Sequence, residues 1–408
     1  MEEDTLIINK GYNHSLSEGS IVTPIFKSST FCFNTAEEGE RSFQIAYKLD
    51  EPNVGEIPVL IYSRVNNPNM EIVEERLSVF DKSEKSLLFS SGMGAISNSL
   101  MALLEPGDTV IYSNPVYGGS EFLFKILLPK FKINCIPFPA GEKSENIQKI
   151  LKDNNCQNLK MIFVETPCNP LVKLTSIKDI VKLRDKLKNE YGNEIIITVD
   201  NTFCGPVYLK PLELGADLVI YSITKFIGGH SDLIAGSVSG NEKLIDSIRV
   251  TRTIYGTIPD PDTCWLIQRS LPTLKLRMEK QCSNAKIIVD FLKTNAKVKK
   301  IYYPGLGDEE ENKIFKNEYK DSGSIISFEI FGNKSDAFKL LNKVKVFKLA
   351  VSLGSIESLI QHPSSMTHSD IPKDEQIKMG ISENLLRCSV GLEDSKDLIV
   401  DLEQAFQY

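Results

Sequence analysis

Two apolar runs most constrain what this chain can fold into: Glu194-Ile195-Ile196-Ile197-Thr198-Val199-Asp200 and Asp217-Leu218-Val219-Ile220-Tyr221. Neither alternates polar with apolar residues. A strand that is apolar at nearly every position must be covered on both faces, and such strands belong to parallel sheets lying between helices. Residues 86–90, 109–112 and 161–165 read the same way, with helical segments between them. The expectation is an α/β fold with a mostly parallel sheet and helices on both faces. After Gly256 the texture changes. A helical stretch is expected over 262–295, strands over 324–330 and 385–390, and an amphipathic helix over 394–406, which make a smaller α+β unit. Residues ahead of 67 lack sustained periodicity and hold Pro24, Pro52 and Pro58. A long arm with no core of its own lies on something else, often another subunit. The expected organisation is an arm over 1–66, an α/β domain over 67–257 and an α+β domain over 258–408.

Charge and composition exclude several function classes. Lys+Arg 47 against Asp+Glu 54 leaves a net charge of -7, without the basic excess a nucleic-acid partner requires. No apolar stretch is long enough to span a bilayer, so no membrane partner is expected. The acidic start, Met1-Glu2-Glu3-Asp4, lacks the plan of a signal peptide. The eight cysteines contain no C-x-x-C pair, and buried thiols in a reducing cytoplasm are expected. The four histidines show no zinc spacing, so no metal is expected.

In open parallel sheets, ligands sit beyond the carboxyl ends of the strands, and the candidate motifs fall there. Lys225 in Tyr221-Ser222-Ile223-Thr224-Lys225 presents an amine beside two hydroxyls at a strand end. That arrangement suits a lysine bonded covalently to pyridoxal phosphate while its neighbours hold the phosphate; a surface turn is the plain alternative. Ser90-Ser91-Gly92-Met93-Gly94-Ala95 joins a strand to a helix, whose N-terminus favours a phosphate. It equally suits a simple tight turn, and it lacks the third glycine of a dinucleotide fingerprint, since position 97 is Ser97. Asp200 ends an apolar strand, where a carboxylate needs a partner such as a protonated pyridine nitrogen, unless it caps the next helix. Asn169, held between Pro167 and Pro170, could offer an amide to a phenolic oxygen. Arg387 lies inside an apolar strand and needs an anion, either a substrate carboxylate or an internal salt bridge. Tyr117 could stack on a ring, and Tyr62-Ser63-Arg64 closes the arm.

The order of these motifs is more specific than any one of them. Y-S-R, S-S-G-M-G-A, V-Y-G-G, E-T-P-x-N-P, V-D-N-T-F, S-x-T-K, S-L-G-x-x-E-S-L and R-x-S-V-G-L-E, from about residue 20 to the C-terminus, resemble the Cys/Met-metabolism pyridoxal-phosphate enzymes. That family includes methionine γ-lyases, cystathionine γ-lyases, cystathionine γ-synthases and O-acylhomoserine sulfhydrylases. The segment from Ser352 to Ser369 is similar to the methionine γ-lyase version.

The resemblance implies the fold-type-I transferase fold, with a seven-stranded, mostly parallel sheet, and pyridoxal 5'-phosphate as cofactor. It implies that Lys225 carries the cofactor, Asp200 holds its ring nitrogen and Asn169 its ring oxygen. Gly92, Met93, Ser222 and Thr224 would hold the phosphate, with Tyr62 and Arg64 reaching in from a neighbouring subunit of a homodimer or homotetramer. Tyr117 would stack on the ring and protonate the leaving group, while Arg387 and the Ser352 backbone take the carboxylate of an amino-acid substrate. The implied reaction is γ-elimination on a sulfur amino acid, of methionine γ-lyase type. The alternatives are γ-replacement on an O-acylhomoserine and cystathionine cleavage. Four departures bear on the resemblance: Gly119 where methionine γ-lyases carry cysteine, Arg252-Thr253 in place of Lys-Asp, a longer 39–60 segment, and Ile223 in place of a small residue.

Overall fold

The computed structural model describes every residue except 54, 55, 57, 58, 157 and 408. Pro58 and part of the 39–60 segment therefore lie outside the described residues. Seven strands form the large sheet: β1 (Lys85–Phe89), β2 (Thr109–Asn114), β3 (Asn134–Pro139), β4 (Leu159–Glu165), β5 (Ile196–Asp200), β6 (Leu218–Tyr221) and β7 (Gly236–Gly240). Their order is β1-β7-β6-β5-β4-β2-β3. The run from β3 to β6 is parallel, and β7 lies antiparallel between β6 and β1. Alternate side chains feed two apolar layers. Ile162 and Val164 of β4 face one with Ile197 and Val199, while Met161 and Phe163 face the other with Leu218 and Ile220. This two-sided burial is why β4 to β6 lack a polar face.

Two strands of this sheet carry no apolar run. β7 reads Gly-Ser-Val-Ser-Gly and is buried at every position; its small residues admit neighbouring backbone at close range. β3 carries two prolines, which an edge strand tolerates because its outer N–H groups have no ladder to join.

The expected helix over 262–295 is two helices, Pro261–Ser270 and Leu274–Thr294, joined by a 3-10 turn at Leu271–Thr273. Pro272, with no N–H to donate, sits at that break. The second sheet holds β8 (Val298–Tyr302), β9 (Ile325–Ile330), β10 (Lys348–Leu349), β11 (Leu359–Gln361) and β12 (Leu385–Ser389), in the order β10-β11-β12-β9-β8. The helices Leu274–Thr294 and Ser395–Ala405 cover it around Ile326, Phe328, Leu386 and Leu402. The first 66 residues include two helices, Glu3–Asn9 and Ala36–Ala46. The second is started by Thr35, whose side chain accepts from Glu38 N–H. No helix among the described residues is long and apolar enough to cross a membrane.

Candidate active site

The carboxyl ends of β4, β5 and β6 open onto a cavity of about 300 Å³, within the range of small-molecule sites. Gly92, Met93, Tyr117, Asn169, Asp200, Ser222, Thr224, Lys225, Ser352 and Arg387 all line it. Tyr62 and Arg64 do not. The Arg64 guanidinium lies 5.5 Å from the Tyr62 ring centroid and donates to Thr253 O at 2.9 Å.

One end of the cavity is built for an anion. The helix Gly92–Leu103 begins there, capped by Ser91 Oγ, which accepts from Gly94 N–H at 2.9 Å. The N–H groups of Gly92 and Met93 have no intrahelical acceptor, and the helix dipole points its positive end at the same space. A Cβ at position 92 would lie 2.9 Å from Ser222 Cβ, so glycine is what lets the helix approach the Ser222 turn.

Asp200 is buried, and Thr202 donates to its Oδ1 from both the backbone N–H (3.0 Å) and the hydroxyl (2.6 Å). Thr202 Oγ1 in turn accepts from Ser222 N–H at 2.9 Å, which ties the carboxylate to the anion cradle. The reading of Asp200 as a helix cap does not hold: the next helix, Gly205–Tyr208, follows Cys204 and has no side-chain cap. Asp200 forms no ion pair among the described residues, and burial raises its carboxyl above the ordinary range. Glu165 pairs with it in the β4–β5 register; burial first and the Asp200 charge second raise its carboxyl, while the Tyr117 and Asn169 N–H groups, one on each oxygen, favour the charged form.

Lys225 Nζ donates to Ser352 Oγ at 2.8 Å. Burial, then the nearby Arg387 guanidinium, lowers its amine to about 8. Ser352 has φ of 84°, a left-handed conformation uncommon outside glycine. Arg387 Nη1 donates to Asn169 Oδ1 at 2.7 Å and Nη2 to Ser352 O at 2.9 Å. With its carboxamide oxygen turned toward the guanidinium, Gln361 on neighbouring β11 also accepts, at 2.7 Å. Arg387 makes no salt bridge among the described residues, so the internal ion pair considered from sequence is absent there. Burial lowers the guanidinium to about 10.

Glu165 and Thr202 also line the cavity and were not singled out by sequence. Each stands in a motif quoted above, and a polar residue at or just after an apolar strand end is the signal that could have found it. The departures fall differently. A Cβ at Gly119 would lie 2.7 Å from Tyr117 Cε1, so any side chain there presses on that ring. Arg252 is away from the cavity lining, with Nη1 on Glu74 at 2.5 Å and on Leu88 O at 2.9 Å. Ile223 is buried in the core beneath the site.

A buried carboxylate that lines a cavity and has no ion-pair partner among the described residues suits a ligand that brings a cation. Here that ligand must also carry an anion for the helix N-terminus and a carbon that an amine can attack. Pyridoxal phosphate meets all three demands, and the fold together with the site defines a pyridoxal-phosphate enzyme of fold type I.

Comparison with known proteins gives the family. The Cys/Met metabolism PLP-dependent enzyme model matches residues 4–407, and the chain belongs to that family. An L-methionine γ-lyase from Fusobacterium nucleatum subsp. polymorphum is 39% identical over 391 residues, covering 95% of this chain and 94% of the relative. A cystathionine γ-lyase from Bacillus subtilis is 34% identical over 408 residues, covering 100% of both. The crystal structure of cystathionine γ-synthase from Xanthomonas oryzae pv. oryzae with aminoacrylate and cysteine superposes at a TM-score of 0.88, with 31% identity, over 100% of this chain and 98% of that one.

Proposed function

We propose that the chain catalyses γ-elimination on an uncharged sulfur amino acid of methionine type, giving 2-oxobutanoate, methanethiol and ammonia with uptake of one water. The observation that carries this reading is the charge of the cavity. Lys225 and Arg387 are its lining cations among the described residues, and Ile234 and Val351, both more than half exposed, add apolar surface to its lining. Arg387 accounts for the substrate α-carboxylate. Among the described residues, no further cation lines the chain's own cavity to meet a second carboxylate, as in cystathionine.

In this reading Gly92, Met93, Ser222 and Thr224 would hold the cofactor phosphate, and Asp200 would favour a proton on the ring nitrogen. Asn169 would offer its amide to the ring oxygen, and Tyr117 would stack on the ring. Bound pyridoxal phosphate would supply the electron sink that makes protons on Cα and Cβ removable. Arg387 and the Ser352 backbone fix the substrate by its carboxylate. The Lys225 amine, steered by Ser352 Oγ, takes the Cα proton and moves it along the substrate face. The Tyr117 hydroxyl donates a proton to the departing thiolate sulfur.

Tyr62 and Arg64 lie outside their own chain's cavity, and apolar Leu16, Ile21 and Val22 stand exposed on the same arm. Both facts support an assembly, a dimer at least and a tetramer as the fuller form, in which 1–66 crosses to a neighbour's site. The remaining chain divides into 67–257, holding the cofactor, and 258–408. Eight free thiols suit the reducing cytoplasm.

A second reading has its own support. Gly119, beside the Tyr117 ring, departs from the methionine γ-lyase pattern, and γ-replacement on an O-acylhomoserine uses the same scaffold. One assay separates the two. Purified protein is given methionine alone, then O-acylhomoserine with a thiol. Oxobutanoate and methanethiol from methionine alone support elimination; turnover only with the acyl substrate and thiol overturns it.

A further inference from the structure

Glu165 is a buried carboxyl in the cavity lining to which the proposed chemistry gives no task. Its two oxygens accept from two different loops: Oε2 from Tyr117 N–H and Oε1 from Asn169 N–H, both at 2.8 Å. Its own N–H donates to Ser113 Oγ at 2.9 Å, which anchors its backbone at the strand end. It is 4% exposed and lies beside Asp200 in the strand register. Two carboxyl groups side by side in a protein interior repel when both are charged, so the arrangement stands against a cost. What offsets it is visible. A carboxylate can accept on both oxygens, whereas a carboxamide has one acceptor and would set an N–H against the second donor. The Asn169 side chain continues the chain of contacts to Arg387 at 2.7 Å. One group thus touches the backbone of the Tyr117 wall and, through Asn169, the Arg387 wall.

We propose that Glu165 is a positioning residue whose carboxylate sets the spacing of the Tyr117 ring and the Asn169–Arg387 pair across the cavity. The inference rests on the reading that Tyr117 and Asn169 face the cofactor. It goes further by assigning the group that places them relative to each other.

The test uses cofactor-loaded Glu165→Gln and Glu165→Asp protein, read by thermal melting, by circular dichroism of the cofactor's visible band, and by kcat and KM on methionine or on whichever substrate the wild type turns over. Glu165→Gln is expected to fold and bind the cofactor, but to lose most of the visible dichroism. Its kcat should fall by roughly 10²-fold, the scale of about 1 Å of misplacement, with KM within about threefold of wild type. Glu165→Asp keeps two acceptor oxygens on a shorter stem and should fall between. A wild-type dichroic band and kcat in Glu165→Gln overturn the proposal. So does failure of both variants to fold, which would make Glu165 a structural residue only. A wild-type protein with no visible band at all would instead count against the cofactor reading, so the two failures are distinguishable.

Discussion

Arg387 Nη1 lies 2.7 Å from Asn169 Oδ1, and this bond joins the small sheet to the large one across the cavity. Arg387 reaches it from β12, Asn169 from the loop after β4. The same guanidinium holds Ser352 O, so one planar group aligns three parts of the wall.

Arg387→Lys is therefore not conservative. An ammonium cannot hold Asn169, Ser352 and a substrate carboxylate in one plane. KM for the amino-acid substrate should rise by roughly 10²-fold, in the range for breaking a buried, hydrogen-bonded charge contact, with a smaller change in kcat. Steady-state kinetics check this; a rise of twofold or less would count against Arg387 as the carboxylate group.

The Lys225 amine must be neutral to bond the cofactor. Its pKa in the cofactor-free protein is lowered from 10.5 to about 8, by burial first and Arg387 second. Reconstitution of cofactor-free protein, followed by the visible band, should accelerate as pH rises through about 8 and level off above it. An unperturbed lysine would still be accelerating near pH 10.5. Linkage has the same sign: between about 8 and 10.5 the unfolded chain binds more protons at this residue, so its contribution to stability rises with pH. Lys225→Ala should give no covalent band and no turnover.

Arg252 is 1% exposed and its charge is matched by Glu74 at 2.5 Å. Arg252→Met leaves that carboxylate uncompensated and should cost about 3–5 kcal/mol. Adding Glu74→Gln, which keeps an acceptor for Leu88 N–H, should restore part of the loss. Equilibrium denaturation of the two singles and the double closes the cycle. Additive losses would show that the pair is not coupled.

Shared sites predict complementation. Lys225→Ala and Arg64→Ala chains are each expected to be inactive. If Arg64 serves the neighbour's cavity, unfolding and refolding an equal mixture should recover about one quarter of wild-type activity, because half the dimers are mixed and each holds one intact site. Recovery of nothing, with mixed dimers present, would place Arg64 outside the site.

The central strands were legible because their burial is written in every residue: β5 is buried at all five positions and reads Ile-Ile-Thr-Val-Asp. β7 was not, since Gly-Ser-Val-Ser-Gly is buried by the closeness of its neighbours rather than by its own apolar surface. Lys225, Asp200 and the Gly92 turn were legible as polar or flexible residues at the ends of apolar strands, where function collects. Thr202 and Glu165 were passed over, although they stand in the same motifs, because what they do depends on register. Thr202 matters because it reaches Ser222 N–H, and Glu165 because two loops bring their N–H groups to it.

The sequence by itself determined the sheet's central strands and the lysine and carboxylate at their ends, while the order of motifs along the whole chain carried the resemblance that implies the cofactor. The strands and their end residues are local: they depend on side-chain period and on the few residues just past each strand end. Only the tertiary structure decided which of those groups meet. Lys225 reaches Ser352 across 127 positions, and Asn169 reaches Arg387 across 218. Such contacts come from packing the small sheet against the ends of the large one, and no local pattern encodes that distance. The same packing left Tyr62 and Arg64 outside their own cavity while Arg252 was buried against Glu74.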